Sequence, residues 1–170
     1  MTGLPGRNEA APYYYRYIDR VSSQDILQAL NDQRDGVLSF LQGISDQKSL
    51  CRYAPDKWSI RQVLNHINDC ERLFVFRAFW FARGFSSPLP SFDQDVAAQA
   101  AISDAHSWES HIEEFSAIRE STIAFFRNLP QEASMRTGIA SENPFTVRSL
   151  GYIIAGHADH HLAILRERYI

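Results

Sequence analysis

Four long segments of the sequence repeat apolar residues at the three-and-four spacing of a helix that is buried on one side. No series of alternating apolar and polar residues predicts a competing sheet. Four helices of this length with moderately long connections predict an all-α fold, a four-helix bundle. We expect these helices over 23–42, from Ser59 to about Arg83, from about Asp104 to Leu129, and after Thr146.

Local signals support these boundaries. Ser59 followed three residues later by Gln62 has the form of a capping box, and Thr146 is a candidate N-cap for the last helix. Gly151 and Gly156 lie inside that helix, where each costs up to about 1 kcal/mol relative to alanine. Their presence predicts close backbone packing at those positions.

The length of 170 residues predicts one domain over 1–170. Its first 21 residues contain proline and glycine and then a run rich in tyrosine. We expect 1–21 to form an extended arm that lies on the body of the bundle. The tyrosines of this arm are Tyr13, Tyr14, Tyr15 and Tyr17.

Composition excludes several classes of function. The net charge of −3 gives no electrostatic reason to expect nucleic acid as a partner. No apolar run reaches membrane-spanning length, and the N-terminus lacks the pattern of a signal peptide, so we expect no membrane association. With two cysteines against six histidines, a disulfide scaffold is not expected, which favours the cytoplasm.

A pair of histidines, His157 and His161, falls on the buried stripe of the last predicted helix. Their i, i+4 spacing stacks the two imidazoles one turn apart on one face. Buried polar nitrogens are costly without a partner, and two nitrogens held in this way can bind one transition-metal ion.

His66 supplies a third nitrogen on the buried side of the second predicted helix. Facing helices of a bundle bring such inward side chains within reach of each other. Three histidines leave coordination positions open, as catalytic metal sites do, whereas closed structural sites usually have four protein ligands. The competing interpretation is that each histidine is a surface residue or a core residue bonded to a backbone carbonyl.

Other residues are weaker candidates for metal ligands. Cys70, one turn after His66, is either a thiolate ligand or a small buried hydrophobe, and the second is favoured. His160 points about 100° away from His161, which predicts a place at the rim of the site. Glu71 is expected to lie at a solvated helix edge, and His111 at the surface.

The segments WSIRQVLNHINDCERLF and AGHADHHLAILRERY resemble the two signature stretches of the DinB/YfiT-like family of metalloenzymes. The resemblance covers nearly the whole chain in helix order and implies a four-helix bundle. It also implies that His66, His157 and His161 are the metal ligands. The matching positions are Trp58, Ser59, His66, His157, His160, His161 and Leu162.

What the resemblance implies about chemistry is less specific. Members of the family use a divalent ion, with zinc or nickel expected here, either for hydrolysis or for group transfer and isomerisation with a low-molecular-weight thiol cofactor. No general base that would activate water is evident in the predicted helices. This favours a thiol-dependent S-transferase or isomerase over a hydrolase. In either case we expect a small-molecule substrate. A non-catalytic stress protein that binds metal or ligand is the third alternative.

The second half of the second predicted helix, FVFRAFWFARG, is apolar on nearly every side. Surplus apolar surface usually marks a contact, and we expect a homodimer that uses this outer face. Coverage by the tyrosine-rich arm is the competing explanation. The residues concerned are Phe76, Phe79, Trp80 and Phe81.

Overall fold

A computed structural model describes residues 3–170 of the chain. Its four longest helices form the predicted bundle, and a short hairpin accompanies them. No helix in the described range is both long and apolar enough to cross a membrane. The elements are α1 Tyr15–Ile18, α2 Ile26–Gln42, α3 Asp46–Ser49, α4 Ile60–Ala82, α5 Gln94–Ala100, α6 Trp108–Arg127, β1 Thr137–Ala140, β2 Asn143–Thr146 and α7 Val147–Arg168.

The four long helices form a ring in which α4 packs on α6 and α7, and α2 also packs on α6 and α7. The apolar core divides into two clusters along the bundle. One surrounds Leu150 and Phe81 near the hairpin, and the other surrounds Leu64 and Leu162 near the opposite end. His66 and His157 lie on α4 and α7 between these clusters.

The capping box predicted at Ser59 and the N-cap predicted at Thr146 are both confirmed. The Ser59 hydroxyl accepts a hydrogen bond from the Gln62 amide, and the Gln62 side chain bonds back to the Ser59 amide. Thr146 and Ser149 form the same reciprocal pair at the start of α7. These caps satisfy backbone amides that a helix start leaves without partners, so they fix the first turn of the two helices that carry the histidines.

Two predicted helices begin later than expected. The Asp25 carboxylate caps the Leu27 amide, so α2 begins at Ile26 and not at residue 23. The Ser107 hydroxyl caps α6 in the same way, so this helix begins at Trp108 and not near residue 104. In both cases the capping residue itself has extended backbone, so the helix begins only at the residue after it.

The N-terminal segment lies on α7, as expected, and its second half forms helical turns that include α1. Residues 1 and 2 of the predicted arm lie outside the described residues. The backbone of Tyr17 comes so close to Gly156 that a Cβ at this glycine would lie 1.9 Å from the Tyr17 carbonyl oxygen. Gly156 therefore permits the close packing that its position in the sequence predicts.

The sequence predicts no sheet, but β1 and β2, between α6 and α7, pair as an antiparallel hairpin. Its two-residue turn, Ser141 and Glu142, has positive φ values of 49° and 63°. The hairpin covers the C-terminal half of α4, where Gly138 lies directly on the Phe81 ring. A Cβ at Gly138 would come within 2.0 Å of that ring, which explains the glycine.

Two expectations about polar residues are wrong. Glu71 is buried and forms a paired contact with Arg119 of α6, with Nε–Oε1 and Nη2–Oε2 distances of 2.9 and 2.8 Å. His111 is also buried, and its Nε2 lies 2.9 Å from the Ser103 carbonyl oxygen. Each of these buried polar groups is bonded to a residue outside its own helix. The spacing of residues within one helix does not reveal such a partner.

Part of the outer face of α4 stays exposed in the single chain. Phe76 and Phe79 are 47% and 38% exposed, and the tyrosine-rich segment does not cover them. Phe81, by contrast, is buried beneath the hairpin. Phe76 and Phe79 line an apolar groove of about 540 Å³ between α4 and α6. The competing explanation for this surface, coverage by the arm, therefore does not apply to Phe76 and Phe79.

Candidate metal centre

Three imidazoles converge where α4 packs on α7. His66 projects from the second turn of α4, and His157 and His161 project from consecutive turns of α7. The Nε2 atom of His157 lies 3.2 Å from Nε2 of His66 and 3.2 Å from Nε2 of His161. The structure therefore brings together the three histidines predicted from the sequence.

The separations fit a shared metal ion. Metal–nitrogen bonds of about 2.1 Å, at angles of about 90–109°, place two ligand nitrogens about 3.0–3.4 Å apart. The two Nε2–Nε2 separations of 3.2 Å fall inside that range. Across residues 3–170, no carboxylate or thiol joins this group of ligand atoms, so the protein supplies three nitrogens and leaves the other coordination positions open.

Burial keeps the three rings neutral. Desolvation lowers the pKa of His66 to about 4. It lowers the pKa of His161 to about 3, with further contributions from the neighbouring His66 and His160. The pKa of His157 is also lowered well below its usual range, first by burial and then by the other histidines. Neutral imidazole is the form that binds a metal, so protons compete little with an ion at neutral pH.

Aromatic rings surround the histidines. The Trp58 ring centroid is 5.1 Å from that of His66, and the Tyr17 ring centroid is 5.2 Å from that of His157. Phe74 packs edge-on against His157 at 6.0 Å. This packing restricts rotation of the imidazoles and excludes water, which strengthens electrostatic interactions inside the site.

Cys70 and His160 flank the group without joining it. The Cys70 thiol is buried 3.6 Å from Nδ1 of His66, and burial raises its pKa to about 12. A protonated thiol is a poor metal ligand, which agrees with its interpretation as a small buried hydrophobe. His160 is half-buried and packs between the Tyr17 and His161 rings at the rim.

Cavities reach the histidines from two sides. The first, which we call the tyrosine-side cavity, has a volume of about 170 Å³ and includes His66 and His157 in its wall. The second, the tryptophan-side cavity, has a volume of about 270 Å³ and includes His161 and Trp58. A small molecule therefore has space to approach the group from either side.

The family follows from the comparisons with known proteins. Residues 29–165 match the sequence model of the DinB superfamily. The chain belongs to the DinB superfamily. No curated protein matches the chain significantly.

A solved structure shares the fold of this DinB-superfamily chain. It is YfiT from Bacillus subtilis, described as a probable metal-dependent hydrolase with an unusual four-helix bundle topology. The TM-score is 0.74, and the match covers 97% of this chain and 91% of that chain at 16% identity. The likeness supports the four-helix bundle predicted from the sequence.

Sequence reasoning missed other residues of the site. Arg77 and Ser141 line the tyrosine-side cavity, as does Tyr17 of the N-terminal segment. Arg77 lies eleven residues after His66, about three helical turns along the same face of α4. This spacing could have indicated that Arg77 faces the same cavity as His66. The sequence gives no such indication for Ser141, because its position depends on the hairpin, which was not predicted.

Proposed function

We propose that this DinB-superfamily protein is a metal-dependent enzyme that acts on a small molecule. The observation that carries the proposal is the convergence of three neutral histidine nitrogens beside two cavities, with no fourth protein ligand in the described chain. A divalent ion bound there, with zinc or nickel expected, would act as a Lewis acid and lower the pKa of a water or thiol that it binds.

A thiol is the nucleophile that we favour. The described residues that line the tyrosine-side cavity include no carboxylate that would accept a proton from water. A low-molecular-weight thiol is deprotonated more easily than water and does not require a general base, because its pKa is already about 8.5. The presence of a cavity on each side of the histidines also suits two reactants, a thiol cofactor and an electrophile. These features support group transfer or isomerisation that depends on a thiol.

Hydrolysis is the second candidate, and a specific observation favours it. Asp56 lines the tryptophan-side cavity together with His161, and a carboxylate there offers a general base for water. YfiT, which shares the fold, is itself described as a probable metal-dependent hydrolase. The two candidates differ in the nucleophile, so a test of thiol binding separates them.

We expect a small thiol to change the visible spectrum of the cobalt-substituted protein, because sulfur bound to cobalt gives charge-transfer absorption. The spectrum would be recorded during titration with 2-mercaptoethanol and, in parallel, with acetate and phosphate. His161→Ala should abolish the thiol effect by removing one of three ligands. His106→Ala is the matched control, since His106 is exposed and lies outside the group.

An unchanged spectrum with thiol, together with a change on addition of acetate or phosphate, would contradict the thiol proposal and favour hydrolysis. A tightly bound cobalt ion that responds to none of these additions would show that no coordination position is labile. That result would support the non-catalytic binding protein instead.

A homodimer stays a prediction. Phe76 and Phe79 leave apolar surface in the groove between α4 and α6, and a second copy of the chain would bury it. Light scattering at micromolar concentration should report a dimer for the native chain and a monomer for Phe79→Asp. A monomeric native chain would show that the groove serves another purpose.

A further inference from the structure

Three arginines are buried in the described chain, and they differ in their partners. Arg119 is paired with Glu71, and Arg61 is paired with Asp46. Arg77 is only 2% exposed, yet none of the ion pairs formed within residues 3–170 includes it. A buried cation without an anion is costly, so this position calls for a negatively charged partner.

The existing contacts of Arg77 leave part of its guanidinium free. Its Nη2 donates to the Ser141 hydroxyl at 2.8 Å and to the Pro90 carbonyl at 3.2 Å. The side chains of Tyr14 and Phe74 also lie beside it. Its Nε is buried and has no hydrogen-bond partner. The Nε–H is therefore an unused donor on a charged group, and a carboxylate oxygen is the acceptor that suits it.

Arg77 lies in the wall of the cavity that reaches the metal ligands. Arg77, His66 and His157 all line the tyrosine-side cavity. His66 and Arg77 are on one face of α4 and three turns apart, so they mark different ends of this space. A molecule held by Arg77 would therefore extend towards the histidines.

The hairpin turn gives independent support. Ser141 and Glu142 both have positive φ, the conformation of a type I′ turn, which strongly prefers asparagine and glycine. The sequence retains two residues that are unfavourable there, and backbone strain of this kind concentrates at functional sites. The turn holds the Ser141 hydroxyl against Arg77. The strained backbone thus helps to fix the guanidinium in the cavity wall.

We propose that Arg77 and Ser141 form a subsite for the carboxylate of a small-molecule substrate. The inference rests on the proposed function, because it names the class of substrate for the same site. Arg77 is the one lysine or arginine among the described residues that line this cavity, so the wall supplies a single permanent positive charge. In the metal-free chain a monoanionic carboxylate balances that charge, whereas a phosphate dianion would need a second cation. The volume of about 170 Å³ limits the ligand to a small organic acid.

The test uses the metal-free full chain, so that carboxylate binding to a metal does not contribute. Propionate would be titrated at constant ionic strength and followed by amide chemical shifts. We expect saturable binding to the native chain, no binding of the neutral isostere propionamide, and weaker binding of inorganic phosphate. Arg77→Gln should weaken propionate binding at least about tenfold. Arg83→Gln, which removes an exposed charge from the end of the same helix, should leave it unchanged.

His161→Ala separates this proposal from the proposed function. His161 does not line the tyrosine-side cavity, so the variant should lose the metal and still bind propionate. Equal binding to the native chain and Arg77→Gln, or phosphate binding as tight as propionate binding, would overturn the subsite.

If Arg77→Gln does not fold, Arg77→Lys retains the charge without the planar fork and should also bind propionate more weakly. A crystal structure of the native chain with saturating propionate then decides the question. We expect a carboxylate oxygen within hydrogen-bond distance of the Arg77 Nε. An empty cavity under those conditions would overturn the proposal.

Discussion

Replacing Glu71 with alanine is expected to lower the free energy of unfolding by about 3–5 kcal/mol. Arg119 is completely buried, and its guanidinium is held by both Glu71 oxygens and by the Gln33 side-chain oxygen. Removal of the carboxylate leaves a buried positive charge with only the neutral amide as a partner. Equilibrium unfolding in urea, monitored by circular dichroism, measures the change.

Two controls establish that the loss comes from the unpaired charge. The double variant Glu71→Leu with Arg119→Met replaces the pair by apolar groups and should stay within about 2 kcal/mol of the native chain. Arg72→Ala removes an ion pair with Glu114 between the same two helices, but the Arg72 side chain is 50% exposed. It should cost less than about 1 kcal/mol. A similarly small loss for Glu71→Ala would contradict the interpretation.

Gly156→Ala is expected to destabilise the protein by about 2 kcal/mol or more, although alanine is the better helix former. The new methyl group would lie 1.9 Å from the Tyr17 carbonyl oxygen, and this neighbour is backbone and does not rotate away. The N-terminal segment must move off α7, which also removes Tyr17 from the His157 ring. Thermal unfolding and the rate of proteolysis near Tyr17 would both report the displacement.

Gly36→Ala is the matched control for this substitution. Gly36 is an exposed glycine inside α2, and a Cβ there has nothing within 4 Å. The same change should therefore stabilise the protein by about 0.5–1 kcal/mol through helix propensity alone. If Gly156→Ala gains stability as Gly36→Ala does, the Tyr17 backbone does not lie as close to Gly156 as described.

The parts of the fold that local chemistry determines were predictable from the sequence. The apolar spacing of α4 and α7, the capping box at Ser59 and the N-cap at Thr146 each depend on a single short segment of the sequence. The same spacing placed His66, His157 and His161 on buried faces. Their convergence then required only that α4 and α7 be neighbours, which the bundle provides.

The features that sequence reasoning missed depend on partners distant in the chain. Glu71 was interpreted as solvated because its spacing does not reveal Arg119, which lies 48 residues away on another helix. The hairpin was missed because Ser141 and Glu142 do not have the residue types that signal a type I′ turn. The role of Arg77 as a binding group can be inferred only from its burial without an ion-pair partner among the described residues.

Metal content after equilibrium dialysis is the most direct test of the metal centre. Native protein without an affinity tag, His157→Ala and His106→Ala would be dialysed against the same low concentration of zinc or nickel and analysed by mass spectrometry. The Nε2 atom of His157 lies 3.2 Å from the Nε2 atoms of both other ligands. We expect about one ion per chain for the native protein and His106→Ala, and a loss of affinity of at least about 100-fold for His157→Ala. One tightly bound ion retained by His157→Ala would show that the three histidines do not hold it.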